Sequence, residues 1–140
     1  MNFSSSKSDA SLASSFYVSR SRVDAEIVKS IVGASRISNA RTGLTGGMLF
    51  TGNYFAQVLE GPIDKLHSAM KAIAADNRHD SMVQILLTET ETREYGDWTM
   101  GYIRAPEADV LIENIVAGKS NEKQTKFMHY LLKEWIAGGV

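Results

Sequence analysis

Apolar and polar positions along this chain follow two spacings, which predict a succession of strands and helices. Residues 14–20, SSFYVSR, are rich in β-forming side chains and predict a first strand. Residues 43–61, GLTGGMLFTGNYFAQVLEG, predict two strands joined by a glycine turn at TGN. Two further strands are predicted at 81–94 and 97–104. Alternation within the last strand puts three large side chains on one face: Trp98, Met100 and Tyr102.

Apolar residues three and four positions apart predict helices at 24–38, 62–76, 107–118 and 121–139. The apolar stripe of the first helix comprises Ile27, Val28, Ile31 and Ala34. The order β-α-β-β-α-β-β is that of the split βαβ, ferredoxin-like fold with an added strand. Since strand–helix–strand connections are right-handed, both inner helices should lie on one face of the sheet. We therefore predict an α+β, ferredoxin-like βαββαβ(β) fold in which the two C-terminal helices cover the other face.

Length, charge and cysteine content narrow the class of protein. The chain has 140 residues, no cysteine and a net charge of -1, so we expect one domain without disulfides or thiolate metal sites. Its interspersed charges do not resemble a nucleic-acid or membrane-binding surface, and a cytoplasmic location is expected. The predicted divisions are a serine-rich disordered leader at 1–13, a core at 14–104 and a C-terminal helical extension at 105–140.

No standard catalytic or metal-binding pattern is present. His67, His79 and His129 are far apart and form no HxxxH or HExxH arrangement. The glycines of LTGGMLF are not followed by a Lys-Ser/Thr pair, so they do not form a P-loop. We expect no metal site and no enzyme activity.

Polar side chains within the predicted strands are more informative. Tyr17 and Gln57 fall on the first and third strands, which are neighbours in this topology, so they should lie side by side beneath the inner helices. From the residues alone a structural Tyr–Gln hydrogen bond is the favoured interpretation. An amide, however, has two donors and two acceptor lone pairs, so a bound polar ligand is the alternative. Helix capping is the simple interpretation for the polar residues that follow the inner helices: Asn39, Asp76, Arg78 and His79.

The strand Tyr17-Val18-Ser19, followed by SRISNARTGLTGGMLF, FAQVLEGP, DNRH and DWTM, resembles the BLUF (blue light using flavin) domain in order and spacing. The resemblance covers about residues 14–104 and implies a flavin held noncovalently between the two inner helices. FAD is the expected cofactor, with FMN and riboflavin as alternatives, because the recognisable contacts are those to the ring.

The resemblance also implies roles for individual residues. Tyr17 matches the photoactive tyrosine, Gln57 the glutamine that joins it to the flavin, and Asn39 the asparagine at the polar edge of the ring. The implied flavin-binding set is Ile31, Ser35, Asn39, Phe55, Gln57, Asp76, Arg78 and His79. The residues implied in signal output are Ser19, Trp98 and Met100. Departures from the family pattern at Ser38 and Ala72 put flavin affinity and kinetics in question.

The implied function is that of a blue-light photoreceptor. Light would drive proton-coupled electron transfer from Tyr17 to the flavin, rearrange the hydrogen bonds of Gln57 and give a red-shifted signalling state. The signal would pass through the Trp98/Met100 strand and the C-terminal helices to a partner protein, with a homo-oligomer as an alternative partner. We expect no enzyme domain after these helices. The rival interpretation is a light-insensitive flavin-binding or protein-interaction module with the same fold.

Overall fold

The computed structural model describes residues 11–138, which form a five-stranded mixed sheet, four α-helices and a short 3₁₀ turn. The strands are β1 Leu12–Ser21, β2 Thr45–Phe50, β3 Tyr54–Pro62, β4 His79–Thr90 and β5 Gly101–Arg104. The helices are α1 Ala25–Thr42, α2 Ile63–Ala75, α3 Asp109–Val116 and α4 Glu122–Ala137, with the 3₁₀ turn at Pro106–Ala108. The strand order is β4-β1-β3-β2-β5, so the predicted α+β, ferredoxin-like fold is confirmed.

The register of the sheet brings three strands together at one point. β1 runs antiparallel to β3 with Tyr17 opposite Gln57, and β2 runs antiparallel to β3 with Met48 opposite Gln57. Directly opposed residues in adjacent strands project from the same face. The side chains of these three residues therefore form one row on the sheet face that α1 and α2 cover.

The boundaries of α1 follow from its capping residues. The Asp24 side chain accepts a hydrogen bond from the Ile27 amide, and Gly43 ends the helix with φ 77° while its N–H donates to the Asn39 carbonyl. Glycine adopts this left-handed conformation without a Cβ clash, which makes it the common helix terminator. The helix therefore continues to Thr42, beyond the predicted end at 38, and Asn39 lies within its last turn.

The C-terminal helices cover the opposite face of the sheet, as predicted. Met128, Leu132 and Ile136 are buried at four-residue spacing on α4, which is the spacing of one helix face. They pack in a core with residues from the sheet and α3: Phe16, Val18, Leu49, Ala56, Val58, Ile112 and Ile115. Ile136 lies against Gly47 and Gly101, which are paired across β2 and β5.

The starts of two strands were predicted wrongly. β5 begins at Gly101, so Trp98 and Met100 lie in the preceding loop rather than in the strand. They also face opposite sides: Met100 is buried in the core beneath α1 and α2, whereas Trp98 packs against the core beneath α4. β1 begins at Leu12, within the segment predicted as leader. Residues 1–10 of that leader, and residues 139–140, lie outside the described part of the chain.

Of the helices within residues 11–138, none has the length and apolar character needed to cross a membrane.

Candidate functional site: a cleft between the inner helices

A cleft opens between α1 and α2 above the row formed by Tyr17, Gln57 and Met48. The space between the two helices, counted out to the open mouth, is about 540 Å³. The walls are apolar, and polar groups gather at the floor and at one rim. The lining residues are Tyr17, Ile31, Ser35, Met48, Phe55, Gln57, Ile73, Asp76, Arg78 and His79.

Tyr17 and Gln57 form the polar centre of the floor. The Tyr17 hydroxyl donates to Oε1 of Gln57, and both residues are almost fully buried. Burial raises the pKa of Tyr17 above its usual range, and the charge of Asp76 raises it further. The phenol is therefore held in its protonated form, as a hydrogen-bond donor.

The amide nitrogen of Gln57 has a much weaker partner. Nε2 lies 3.7 Å from Sδ of Met100, and a thioether is a poor acceptor. An amide nitrogen carries two N–H donors. Gln57 therefore presents donor capacity at the floor of the cleft that the described protein atoms satisfy only through this sulfur contact.

The rim of the cleft carries an ion pair. Arg78 donates from Nη2 to Oδ2 of Asp76 at 2.6 Å and from Nε to Oδ1 at 3.0 Å. These hydrogen bonds hold the pKa of Asp76 at about 2, below its ordinary 3.8. The pair lies directly after α2, so a negative and a positive group meet the solvent at the cleft mouth.

His79 is fixed between α2 and β1. Its Nε2 lies 2.7 Å from the Ile73 carbonyl oxygen, and its Nδ1 lies 2.7 Å from the Ser19 hydroxyl. A carbonyl only accepts, so Nε2 carries the proton and, in the neutral ring, Nδ1 accepts from Ser19. Ser19 is thus joined to the cleft through His79 rather than lining it.

Two α1 side chains hold the loop that precedes β5. Asn39 donates from Nδ2 to the Thr99 carbonyl, and Arg36 donates from Nε to the Met100 carbonyl at 3.0 Å. Asn39 is 6% exposed and is not among the residues that line the cleft. In this structure its amide links α1 to the loop.

The residues of the cleft fit a flavin ring. A flavin is a flat aromatic system with hydrogen-bonding atoms along one edge. Ile31, Phe55 and Ile73 offer apolar contacts, and the open donor capacity of Gln57 suits an acceptor at the ring edge. Among the described residues no group of three or more His, Cys, Asp or Glu side chains is arranged to hold a metal ion.

Comparison with known proteins agrees with the fold and the cleft. The model of the BLUF family, described as "Sensors of blue-light using FAD", matches residues 12–101. The "Blue light- and temperature-regulated antirepressor BluF" of Escherichia coli (strain K12) is 37% identical over 76 residues, covering 52% of this chain but only 19% of that relative.

Solved structures show the same similarity. "BlrB - a BLUF protein, dark state structure" has 28% identity and a TM-score of 0.74, covering 90% of this chain and 98% of that one. "Klebsiella pneumoniae BlrP1 with FMN and cyclic diGMP, no metal ions" has 26% identity and a TM-score of 0.64, covering 91% of this chain and 35% of that one. Fold, cleft and similarity define a flavin-binding sensor of blue light. The chain belongs to the BLUF family.

The structure brings most of the sequence-predicted residues to this cleft. Those that line it are Tyr17, Ile31, Ser35, Phe55, Gln57, Asp76, Arg78 and His79. Those that lie outside its lining are Asn39, Ser19, Trp98 and Met100. Sequence reasoning missed Met48 and Ile73; the helical spacing of Ile73 with the other apolar residues of α2 is the signal that could have located it.

Proposed function

We propose that Tyr17 and Gln57 form the photochemical switch of this sensor, with the flavin bound between α1 and α2. The observation that carries the proposal is the unequal bonding of Gln57, whose Oε1 accepts from Tyr17 while Nε2 has only a thioether 3.7 Å away. Because Nε2 is only weakly held, the Gln57 amide has a second arrangement available, in which Oε1 and Nε2 exchange places.

The residues would act in a fixed order. The bound flavin supplies an excited state that accepts one electron. Tyr17 would give up that electron and pass its hydroxyl proton to Gln57, and both the electron and the proton would later return to Tyr17. Gln57 is left rotated or tautomerised, so that the group facing the cleft differs from that of the dark state. Burial favours this use of Tyr17 because its raised pKa keeps the proton on the phenol until light removes the electron.

FAD is the proposed cofactor, in line with the family description. FMN is a second candidate because the BlrP1 structure contains it. Asp76 and Arg78 at the cleft mouth are proposed to contact the part of the cofactor that extends beyond the flavin ring. Asn39 is proposed to bind the edge of the ring after its hydrogen bond to the Thr99 carbonyl is broken.

The proposed output runs from Gln57 to the loop before β5 and then to α4. Met100 contacts Gln57 from one face of the sheet, and Trp98 packs beneath α4 on the other, so a shift of this loop reaches both cores. We propose that α3 and α4 pass the change to a partner protein or a second copy, in the cytoplasm, without enzyme activity of their own. The exposed Phe127 and Tyr130 of α4 are candidate contacts.

The test is an absorption spectrum of the purified protein in the dark and after blue light. We expect a yellow protein whose bands move reversibly to the red, and loss of that shift in Gln57→Leu and Tyr17→Phe. Gln84→Leu is the matched control, since Gln84 lies opposite Tyr17 on the β4 side but donates to Ser15 and to backbone carbonyls. It should keep the shift. A flavin-bound protein with no shift would instead indicate the light-insensitive module.

A further inference from the structure

A buried carboxylate lies on β3 that the proposed photochemistry does not use. Glu60 is 1% exposed and faces the core beneath α4, three positions beyond Gln57. Its Oε1 accepts from the Tyr95 amide at 2.6 Å, and its Oε2 accepts from the Glu94 amide at 2.8 Å. The Thr45 hydroxyl lies 3.3 Å from Oε1. A buried charge is costly unless it is fully hydrogen-bonded, and these contacts supply that bonding.

These amides begin a segment, residues 94–100, which we call the output segment. Its other end is held by α1, through Asn39 to the Thr99 carbonyl and Arg36 to the Met100 carbonyl. Between the two ends the Gly46 amide donates to the Trp98 carbonyl at 3.0 Å. The output segment is therefore fixed from the cleft side at 99–100 and from the opposite side by Glu60.

The end held by Glu60 touches α4. The side chain of Glu94 lies 3.4 Å from Nζ of Lys133 on α4. The ring of Tyr95 is fully buried and meets Trp98 edge-on at 6.2 Å between centroids. A displacement of residues 94–95 would therefore change the Glu94–Lys133 contact with α4 and the packing of Tyr95 against Trp98.

We propose that Glu60 is a positioning residue for signal output, which fixes residues 94–95 so that movement at Met100 is passed to Trp98 and α4. The inference rests on the function proposed above and deepens it. A carboxylate suits this role because it presents two acceptor oxygens to two successive amides. A glutamine has one oxygen and would turn an NH₂ group toward one of those amides. If Glu60 did not hold residues 94–95, the backbone of the output segment could rearrange when Met100 moves, and the movement would not reach α4.

The experiment compares wild type with Glu60→Gln in the flavin-bound protein, by absorption spectroscopy and hydrogen–deuterium exchange in the dark and in light. We expect the red shift to remain, since the Tyr17–Gln57 bond lies on the other face of the sheet. We expect amide exchange at Glu94 and Tyr95 to rise by about tenfold or more in the dark. The light-dependent change in exchange of α4 should be lost.

Ile112→Val is the matched control, because Ile112 is fully buried in α3 within the same core, and its apolar side chain cannot hydrogen-bond the amides of the output segment. It should lower stability and keep the light response of α4. Thr45→Val is a milder second variant that leaves the Glu60 carboxylate in place. It should reduce the light-dependent change in the exchange of α4 without abolishing it. If Glu60→Gln does not fold, this variant serves as the test of the proposal.

Each contrary result has a distinct meaning. A wild-type protein without a red shift refutes the proposed photosensing function together with this inference. A red-shifting wild type whose α4 shows no light-dependent exchange overturns the inference alone. So does an α4 response of wild-type size in Glu60→Gln, or loss of the red shift in that variant, which would assign Glu60 to the chromophore site.

Discussion

Ile136 of α4 packs against two paired glycines, Gly47 and Gly101, and this contact allows a direct test of how α4 packs on the sheet. A Cβ built at Gly47 would lie 2.3 Å from Cδ1 of Ile136 and 3.0 Å from Cε2 of Tyr95, so Gly47→Ala forces a neighbour to move. Overpacking of this kind costs about 1–3 kcal/mol, and relief of glycine's backbone entropy returns about 0.5–1 kcal/mol. We therefore expect a net loss in the free energy of unfolding of at most about 2.5 kcal/mol.

A second substitution that removes Cδ1 of Ile136 should relieve the clash in Gly47→Ala. Ile136→Val removes Cδ1 and by itself should cost about 0.5–1.5 kcal/mol. In the double variant the methyl group added at position 47 occupies that space, so the two costs should not add. Gly101→Ala is the matched control, because its Cβ would lie 2.6 Å from Cγ2 of Ile136, an atom that valine keeps. Ile136→Val should not rescue that variant.

The assay is urea unfolding of the single and double variants at one fixed, saturating flavin concentration, because bound ligand adds to apparent stability. A favourable coupling energy of about 1 kcal/mol is expected for the pair 47/136, and a value near zero for 101/136. Additive costs for 47/136, or equal rescue of both glycine variants, would refute the close packing of α4 on this pair.

Two further predictions concern pH. Hydrogen bonds from Arg78 hold the pKa of Asp76 at about 2 rather than 3.8, so the pair stabilises the folded protein above about pH 4 and loses that effect as pH falls toward 2. The stability difference between wild type and Asp76→Asn should shrink across that window in acid titrations, and a constant difference would contradict this. Burial lowers the pKa of His129 below 6.5, so the unfolded chain binds more protons and stability falls as pH drops below that value. Since His129 stacks on Phe16 with centroids 4.7 Å apart, His129→Phe should keep the packing and flatten the pH dependence of the urea midpoint; an unchanged slope would argue against it.

The face of α1 shows where sequence reasoning reached its limit. Periodicity predicted a stripe containing Ile27 and Ala34, but Ile27 is 42% exposed and the buried positions are Val28, Val32 and Asn39. The helix covers a cleft as well as a core, so its inward face includes a buried asparagine beside valines. A pattern that counts only apolar residues cannot locate such a face.

The loop before β5 shows the same limit for a strand. Alternation put Trp98 and Met100 on one face, but these residues precede the strand, and period-two alternation holds only within a regular strand. The path of this loop is set by hydrogen bonds with residues from distant parts of the chain: Glu60, Gly46, Asn39 and Arg36.

The sequence by itself determined the order of elements, the ferredoxin-like topology and the family, because periodicity, turn glycines and ordered motifs are local properties. It also determined that Tyr17 and Gln57 are neighbours, since strand order follows from connection rules. Only the tertiary structure decided that Met100 is the weak second partner of Gln57, that Glu60 holds the output segment, and that Ile136 rests on two glycines. These are contacts between residues distant in sequence, and they depend on how separate elements pack rather than on the preference of any one of them.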